Sequence, residues 1–341
     1  MNSRLKMLAL SATVLAGFAA APAHAYVYAD SALSIQNLRL QVNGVTNGGV
    51  TNFTFTTTNT ASLNNNPVIT SATCSGVPGA PASNTNNCNS SQPRLAAGPA
   101  NAPGGTATRG ALDYSFKGPT GGFQFSNAAS SIDQSELLGD SATFTRQITE
   151  SELQNGTSAS ATSLIQSVTG FAFTFTTGAN GTLSLSFAAN PDLFAQIFET
   201  QNGIYSAQAN MNTTFTLQQQ TGGNQFASWS PTGTFGVANS NDCIASASLT
   251  CTETADGENL NNSVGTTNAS FTDSRSHGDV TFSLFGINIT GLASGTYRLT
   301  LAANTSTQLS RQAVPEPGSL LLMGAGLAAL GLRRRQKKQA A

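Results

Sequence analysis

Residues 171–187 read FAFTFTTGANGTLSLSF, and this stretch decides the fold class. Apolar residues alternate with small polar ones on both sides of the central TTGANG segment. Alternation with a period of two is the pattern of β-strands that bury one face. The Asn180-Gly181 pair tolerates the positive φ that a tight turn requires. The stretch therefore predicts two strands joined as a β-hairpin.

The same alternation recurs at residues 112–116, 213–217 and 297–301. A second hairpin is predicted over residues 280–301, with its turn at Ser294-Gly295. In its first strand, Val280, Phe282 and Leu284 point to one side, whereas Phe285, Ile287 and Ile289 point to the other. A bulge near Gly286 would bring both sets to the same face. The chain is therefore expected to be all-β, with a β-sandwich or jelly-roll-like body.

Signs of helix are few. Asn190-Pro191-Asp192 is typical of a helix start, and it predicts a short helix through Glu199. Residues 131–138 form a second candidate. Residues 59–110 and 236–270 are rich in small polar residues, and we predict that both are long loop excursions from the sheets.

The composition excludes one class of partner. Only 9% of the 341 residues are charged, against about 25% in an average soluble domain. Between the two termini, residues 26–312 hold 8 of the 15 basic residues and 15 of the 16 acidic ones, a net charge of −7. Binding to nucleic acid needs clustered Lys and Arg, so nucleic acid is not an expected partner.

Four cysteines occur as two local pairs, Cys74 with Cys88 and Cys243 with Cys251. In an exported chain this spacing predicts two disulfides that staple the two loop excursions. A metal site is the alternative, but no C-x-x-C is present and His277 is the only histidine outside residues 1–25. We therefore expect no metal and no cofactor.

No catalytic constellation stands out. A Ser-His-Asp site would have to use His277 in the stretch DSRSHGD, residues 273–279, and no G-x-S-x-G is present. The preferred interpretation of this stretch is a solvated loop before a strand. The acidic pairs Glu150/Glu152 and Asp256/Glu258 are interpreted as solvated turns, with Ca²⁺ binding or glycoside cleavage as the alternative. The chain is expected not to be an enzyme.

One aromatic pair carries a further alternative. Trp229 and Tyr205 are expected to pack in the core, and a sugar-stacking platform is the functional alternative.

The first 25 residues have the three parts of a secretory signal peptide. Arg4 and Lys6 supply the positive charge, residues 7–20 are apolar, and Ala23-His24-Ala25 is an A-x-A cleavage site. Cleavage after Ala25 would leave Tyr26 as the new amino terminus. Export by the Sec machinery is therefore expected.

The last 29 residues also have three parts. Val314-Pro315-Glu316-Pro317 is followed by residues 318–332, which carry no charge, and then by Arg333, Arg334 and Arg335. The prolines interrupt regular structure at the junction. Fifteen helical residues span about 22 Å, less than the roughly 30 Å hydrocarbon core of a bilayer. The arginines hold the tail on the cytoplasmic side.

This tail resembles the PEP-CTERM sorting signal of Gram-negative bacteria that make exopolysaccharide. The resemblance implies that Val314-Pro315-Glu316-Pro317 is recognised by exosortase, a membrane protease-transpeptidase that removes the tail. It also implies that residues 318–332 form a transient transmembrane helix and that Arg333 to Arg335 form the stop. The stretches YADSA (residues 28–32) and GDSATF (residues 139–144) are similar to those of the exosortase-dependent surface protein group.

The expected organisation is a signal peptide (residues 1–25), an exported all-β domain (26–312) and a sorting signal (313–341). The favoured function is a non-enzymatic structural or interaction role at the cell surface or in the extracellular matrix, associated with exopolysaccharide and biofilm. A lectin-like or adhesive module is the alternative, and a surface hydrolase that uses His277 is the least favoured one. Expected partners are exosortase and the Sec export machinery, the inner membrane before processing, and the exopolysaccharide of the matrix.

Overall fold

The computed structural model describes residues 26–46, 48–76, 83–84, 94–102, 109–110, 113–120, 124–133, 143–154, 161–198, 203–233, 242–274, 277–313 and residue 326. The described residues form two antiparallel sheets of nine strands each. This confirms the all-β sandwich. The predicted signal peptide lies outside the described residues, as does the predicted apolar helix apart from Gly326.

The strands in chain order are β1 (Tyr26–Val42), β2 (Val45–Thr46), β3 (Val50–Leu63), β4 (Asn66–Gly76), β5 (Ser83–Asn84), β6 (Arg94–Asn101), β7 (Phe125–Asp133), β8 (Thr143–Gln154), β9 (Ala161–Thr177), β10 (Gly181–Phe198), β11 (Gly203–Thr221), β12 (Phe226–Trp229), β13 (Cys243–Ala245), β14 (Thr250–Asp256), β15 (Ser263–Thr266), β16 (Phe271–Asp273), β17 (Ser283–Leu292) and β18 (Gly295–Ala313). Sheet A has the order β14-β17-β10-β1-β8-β7-β6, with β16 beside β10 and β2 beside β1. Sheet B has the order β13-β12-β11-β18-β9-β3-β4-β5, with β15 beside β11.

Both predicted hairpins are wrong, because each turn carries the chain from one sheet to the other. β9 pairs with β3 and β18 in sheet B, whereas β10 pairs with β1 and β17 in sheet A. The turn itself is as expected, since Asn180 has a φ of 57°. β17 and β18 are likewise divided between the sheets. The local sequence determines the turn but not the partner of each strand.

The bulge predicted near Gly286 lies in the partner strand. In β17, Phe285, Ile287 and Ile289 are buried in continuous alternation. The register shift opposite Gly286 falls between Glu253 and Ala255 of β14. A Cβ on Gly286 would lie 2.4 Å from Oγ1 of Thr254, so the glycine makes room for the extra residue.

The helix predicted from residue 190 is wrong, because β10 continues through Pro191 to Phe198. Leu193 bonds with both its N–H and its C=O to Ser274, on the side away from β1. Pro191 lies two residues earlier and faces the same side, so its missing N–H breaks no bond to β1. Residues 131–133 of the other predicted helix belong to β7, and residues 134–138 lie outside the described part of the chain. The alternation predicted as strand at residues 112–116 is also wrong, because the described residues 113–116 belong to no strand.

The two predicted loop excursions contain strands. Residues 59–110 include the end of β3 and all of β4, β5 and β6. Residues 236–270 include β13, β14 and β15. The Cys243–Cys251 disulfide is confirmed, and it joins β13 of sheet B to β14 of sheet A. Cys74 is also disulfide-bonded, and its predicted partner Cys88 lies outside the described residues.

The space between the sheets has an aromatic region. Phe187 of sheet A stacks on Phe285 at a centroid distance of 5.0 Å and packs on Phe215 of sheet B at 5.2 Å. Phe215 in turn stacks on Trp229 at 5.1 Å. Burial of each such ring contributes about 1.5–3 kcal/mol relative to exposure.

A second region of the same interior is polar, which explains how a chain so rich in Ser, Thr and Asn fills a core. Neutral side chains there form hydrogen bonds from one sheet to the other. These are Ser31 Oγ to Asn210 O (2.9 Å), Ser126 Oγ to Ser62 O (3.0 Å), Ser130 Oγ to Asn59 Oδ1 (2.9 Å), Thr169 Oγ1 to Gln147 Oε1 (3.0 Å) and Ser151 Oγ with Thr307 Oγ1 (3.2 Å). Each pair satisfies groups that would otherwise be buried without a partner.

Two further segments of the chain cover part of the outer face of sheet A. Residues 109–110 and 113–120, called here the covering segment, lie over β7 and β8, and Gly278 in the turn after β16 lies beside β10. Outward-facing side chains such as Tyr28, Asp30 and Glu150 are consequently buried. The candidate site lies in this layer.

Candidate functional site

Three acidic or imidazole side chains from three separate elements meet on the outer face of sheet A. Asp30 comes from β1, Asp192 from β10 and His277 from the turn after β16. The register pairs Asp30 with Phe194 and Ala32 with Asp192, so strand alternation directs both carboxylates outward. One ligand atom from each of the three residues lies within 4.8 Å of the others. We call these three residues the Asp-His cluster.

The turn that carries His277 is fastened to the sheet. The N–H of His277 donates to Oδ2 of Asp273 at 2.9 Å. The N–H of Gly278 donates to Oδ2 of Asp192 at 2.7 Å, and Gly278 has a φ of 77°. A glycine adopts this left-handed conformation without strain, which lets the backbone close on Asp192.

The imidazole of His277 lies between two carboxylates and two rings. Its Nδ1 is 3.2 Å from Oδ1 of Asp192, and its Nε2 is 3.5 Å from Oδ2 of Asp30. Phe194 stacks on it at a centroid distance of 4.5 Å, and Phe116 of the covering segment is at 4.7 Å. The side chain remains 28% exposed, so the cluster is open to solvent on the histidine side.

Asp30 is the unusual member of the cluster. It is fully buried, and neither of its carboxylate oxygens accepts a hydrogen bond of normal length and angle from a described residue, although the nearby Tyr28 hydroxyl lowers its pKa somewhat. The nearest hydroxyl proton, that of Tyr28, is donated to Oε1 of Glu150 at 2.7 Å. Because a buried carboxylate normally collects donors, Asp30 is the group in this layer that most requires a partner.

Glu150 shows the opposite situation. It accepts hydrogen bonds from the backbone N–H groups of Lys117 (2.7 Å) and Gly118 (2.8 Å) and from the guanidinium of Arg109, with which it forms a fully buried ion pair. Glu152 similarly accepts from the N–H and hydroxyl of Thr120. The predicted solvated turn is therefore wrong for this pair, which anchors the covering segment instead.

Burial and like charge shift the protonation of the cluster. Burial raises the pKa of Asp30 well above its usual range, and the charges of Asp192 and Glu150 raise it further. Burial also raises the pKa of Glu150, although Arg109 opposes the shift. Burial lowers the pKa of His277, but the hydrogen bond and charge of Asp192 outweigh it, so the net pKa is raised. Burial favours the neutral form of both carboxyls, whereas the contributions of the neighbouring carboxylates show that the negative charges of this layer lie close together.

A second acidic cluster lies near the disulfide, at Asp242, Glu253 and Asp256. Oε1 of Glu253 accepts from Nε1 of Trp229 at 3.1 Å and from the N–H of Asp242. Oδ2 of Asp242 accepts from the N–H of Thr232 at 3.0 Å. These oxygens serve protein donors, so this cluster fastens the chain around Trp229.

Several residues weighed in the sequence have other roles in the structure. Trp229 and Tyr205 are 1% and 5% exposed, which confirms core packing over a sugar platform. Asp256 and Glu258 are buried, so their interpretation as a solvated turn is wrong. Oγ of Ser274 accepts from the N–H of Leu193, and it is not paired with His277. His277 itself belongs to a partly buried cluster, so the solvated-loop interpretation is wrong for it as well.

The sequence reasoning missed Asp30 and Asp192. A carboxylate inside a strand that is otherwise apolar and aromatic, as in YVYADSALS (residues 26–34), was the available signal. His277 and Asp192 are 85 positions apart in the chain, and only the tertiary structure brings them together.

The junction to the tail is the other functional feature. β18 ends at Ala313, one residue beyond the predicted boundary of the body, and Val314 to Pro317 lie outside the described residues. Arg311, just before the end of β18, is 4% exposed and donates to the carbonyl of Gln154 on β8. The described residues include no helix long and apolar enough to cross a membrane.

Comparison with known proteins adds one informative match. Residues 313–335 match the PEP-CTERM protein-sorting motif, PEP_exosort_dom. No curated protein matches the chain. A solved structure described as "Structure of infectious bursal disease virus Gx strain" aligns over 90% of this chain and 88% of its own, at 9% identity. Its TM-score of 0.07 supports no argument about fold or function.

The motif has a direct consequence for localisation. It implies processing by exosortase, a membrane enzyme, and sorting to the surface or extracellular space of a Gram-negative bacterium.

Proposed function

We propose that this exported, exosortase-sorted protein is a non-enzymatic structural or interaction component of the exopolysaccharide matrix at the cell surface. The observation that carries the proposal is the position of the sorting motif, which begins at Ala313 where β18 ends. The first residue of the matched motif is the last residue of the strand. Any attachment made through the processed end would act directly on this strand.

β18 is suited to bear such an attachment because it lies in the middle of sheet B. It pairs with β11 from Thr296 to Ala313 and with β9 from Gly295 to Arg311. Ladder hydrogen bonds run perpendicular to the strands, so a pull along β18 loads both ladders in shear at once. A strand paired on both sides from Thr296 to Arg311 supports a structural role.

The sorting step can be tested by mass spectrometry in the native host. The extracellular fraction should contain peptides up to about Val314 and none from the tail. Replacing Glu316 by Ala in the motif should leave intact tail in the membrane fraction, whereas Gln336→Ala, a control in the basic end, should be processed normally. Recovery of intact tail on the mature surface protein of wild-type cells would contradict the sorting step.

The matrix role needs a separate test, because a sorted protein need not act in the matrix. A strain that lacks this chain should lose cohesion of its extracellular matrix, measured as resistance of the biofilm to shear. Complementation with the wild-type chain should restore it, and complementation with Glu316→Ala should not. An unchanged matrix in the deletion strain would overturn the structural role.

A lectin-like function is the second candidate, and one surface feature favours it. A groove of about 330 Å³ on sheet B is lined by uncharged groups, among them the cross-strand partners Gln208 and Gln308. Amide and hydroxyl groups match the donors and acceptors of sugars. Gln208→Ala with Gln308→Ala should abolish retention on the producer's own polysaccharide, and exposed Gln218→Ala on the same strand should not. Absence of wild-type binding at millimolar sugar would remove this candidate.

A further inference from the structure

We propose that Asp30 and His277 of the Asp-His cluster bind a divalent transition-metal ion of the Zn²⁺ type, with Asp192 orienting the imidazole. The site is assembled from β1, β10 and the turn after β16, and no bound ion or sequence motif indicated it. The inference stands apart from the matrix role proposed above.

The charges around the cluster require a cation. Four carboxylates act on one another here, those of Asp30, Asp192, Glu150 and Asp273. Arg109 neutralises Glu150 through its buried ion pair. Among the described residues, His277 is the group that faces both Asp30 and Asp192, so one imidazole stands against two carboxylates. A divalent ion would supply the missing charge, because buried carboxylates are otherwise costly.

The orientation of the ring indicates where the ion would lie. If Nδ1 carries the proton, it donates to Oδ1 of Asp192 at 3.2 Å, which leaves a lone pair on Nε2. That lone pair faces Oδ2 of Asp30, which has no hydrogen-bond donor among the described residues. Two lone pairs repel unless a cation lies between them. A carboxylate that orients the far nitrogen of a metal-bound histidine is a common supporting contact.

The separation of these two atoms distinguishes a metal ion from a shared proton. A charge-assisted N–H···O bond is about 2.7–2.9 Å long. Nε2 and Oδ2 are 3.5 Å apart. Two ligands at about 2.0–2.1 Å from a tetrahedral zinc ion lie about 3.3–3.4 Å apart. The observed distance therefore fits a bridging ion better than a bridging proton.

The donor set selects the class of ion. Ca²⁺ and Mg²⁺ prefer oxygen ligands alone. An imidazole together with carboxylates suits Zn²⁺ and its neighbours in the first transition row. The 28% exposure of His277 gives the ion a route from solvent, and Phe116 and Phe194 restrict the rest of the opening.

The test uses the exported protein purified from cells, treated with EDTA and titrated with ZnCl₂ by calorimetry. One equivalent of Zn²⁺ should bind, and Ca²⁺ should bind much more weakly. Asp30→Asn and His277→Gln remove proposed ligands, so each should weaken Zn²⁺ binding by more than the roughly 10- to 100-fold that loss of a supporting contact costs. Asp242→Asn, in the second acidic cluster, is the matched control and should bind Zn²⁺ as wild type does.

A spectroscopic readout keeps the test independent of folding defects. Co²⁺ in the wild-type protein should give visible absorption bands of a site with a nitrogen ligand, and these bands should be lost in His277→Gln, whose changed side chain is partly exposed. Absence of Zn²⁺ binding by the wild type would overturn the proposal. So would equal affinity in Asp30→Asn and the wild type, or loss of binding in Asp242→Asn alone.

Discussion

Asp30 of β1 and Glu150 of β8 are register partners, so two buried carboxylates lie side by side on the outer face of sheet A. Like charges directly opposite each other destabilise a sheet. The structure offsets Glu150 with Arg109 and with two backbone N–H groups, while Asp30 faces His277. Glu150 therefore anchors the covering segment, whereas Asp30 belongs to the candidate binding site.

The anchor predicts a large effect for Arg109. Arg109→Met should lower the free energy of unfolding by about 3–5 kcal/mol, because it leaves Glu150 buried without its counter-ion. Lys117→Met is the control on the same segment, since its ion pair with Asp113 is exposed and contributes about 0–1 kcal/mol. Urea denaturation of both variants measures the difference. Equal losses would show that the buried pair has no special role.

The turn between β9 and β10 should make stability sensitive to the residue at position 180. Asn180 has a φ of 57°, whereas Gly178, two residues earlier, does not have a positive φ and has open space around its Cα. Asn180→Ala should cost about 1 kcal/mol, because alanine keeps the Cβ that crowds the following carbonyl but lacks the amide whose local hydrogen bonding offsets this crowding. Gly178→Ala should be close to neutral or slightly stabilising. Thermal unfolding distinguishes them, and a harmless Asn180→Ala would contradict the assigned turn.

The disulfide between the two sheets predicts a loss on its removal. Replacing both Cys243 and Cys251 by Ser should lower the free energy of unfolding by about 2–3 kcal/mol in the chain-entropy model. Hydrogen exchange should also rise in β13, the short edge strand that this bond ties to β14. Unchanged stability together with unchanged exchange would show that the bond is dispensable there.

The polar interior predicts coupling between Ser151 and Thr307, which bridge the sheets at 3.2 Å and are both fully buried. Ser151→Ala or Thr307→Val alone should cost about 1–3 kcal/mol, since each leaves a buried hydroxyl without this partner. The double variant should cost clearly less than the two single losses together. Additive losses in this double-mutant cycle would contradict the bond.

The pKa of the Asp113 carboxyl should depend on Lys117, and NMR can follow its titration. Hydrogen bonds from Lys117 and from Ser115 hold the pKa of the Asp113 carboxyl well below its usual range. A carboxyl with a lowered pKa stabilises the fold above its unfolded pKa, and this contribution is lost as the pH falls through the folded value. Lys117→Met should raise the pKa of Asp113 towards the ordinary value. An unmoved titration would remove Lys117 as a cause.

The sequence was a good guide wherever the signal is local. Alternation over residues 171–175 and 183–187 correctly predicted which side chains are buried, and Asn180-Gly181 correctly predicted the positive φ between them. The PEP-CTERM tail was readable because its parts are contiguous. The helix predicted after Asn190 failed because a capping pattern is a local preference, and pairing along β1 outweighs it.

The sequence by itself determined the strands around residues 171–175, 183–187, 213–217 and 297–301, the sorting tail and the Cys243–Cys251 bond, because each follows from neighbours within a few residues. Only the tertiary structure decided that β9 and β10 belong to different sheets and that Asp30, Asp192 and His277 meet. A strand's alternation shows which face is apolar, but many strands of this chain share the same alternation, so it cannot identify the partner. That choice is made by the packing of whole sheets, and the site on their outer face depends on it.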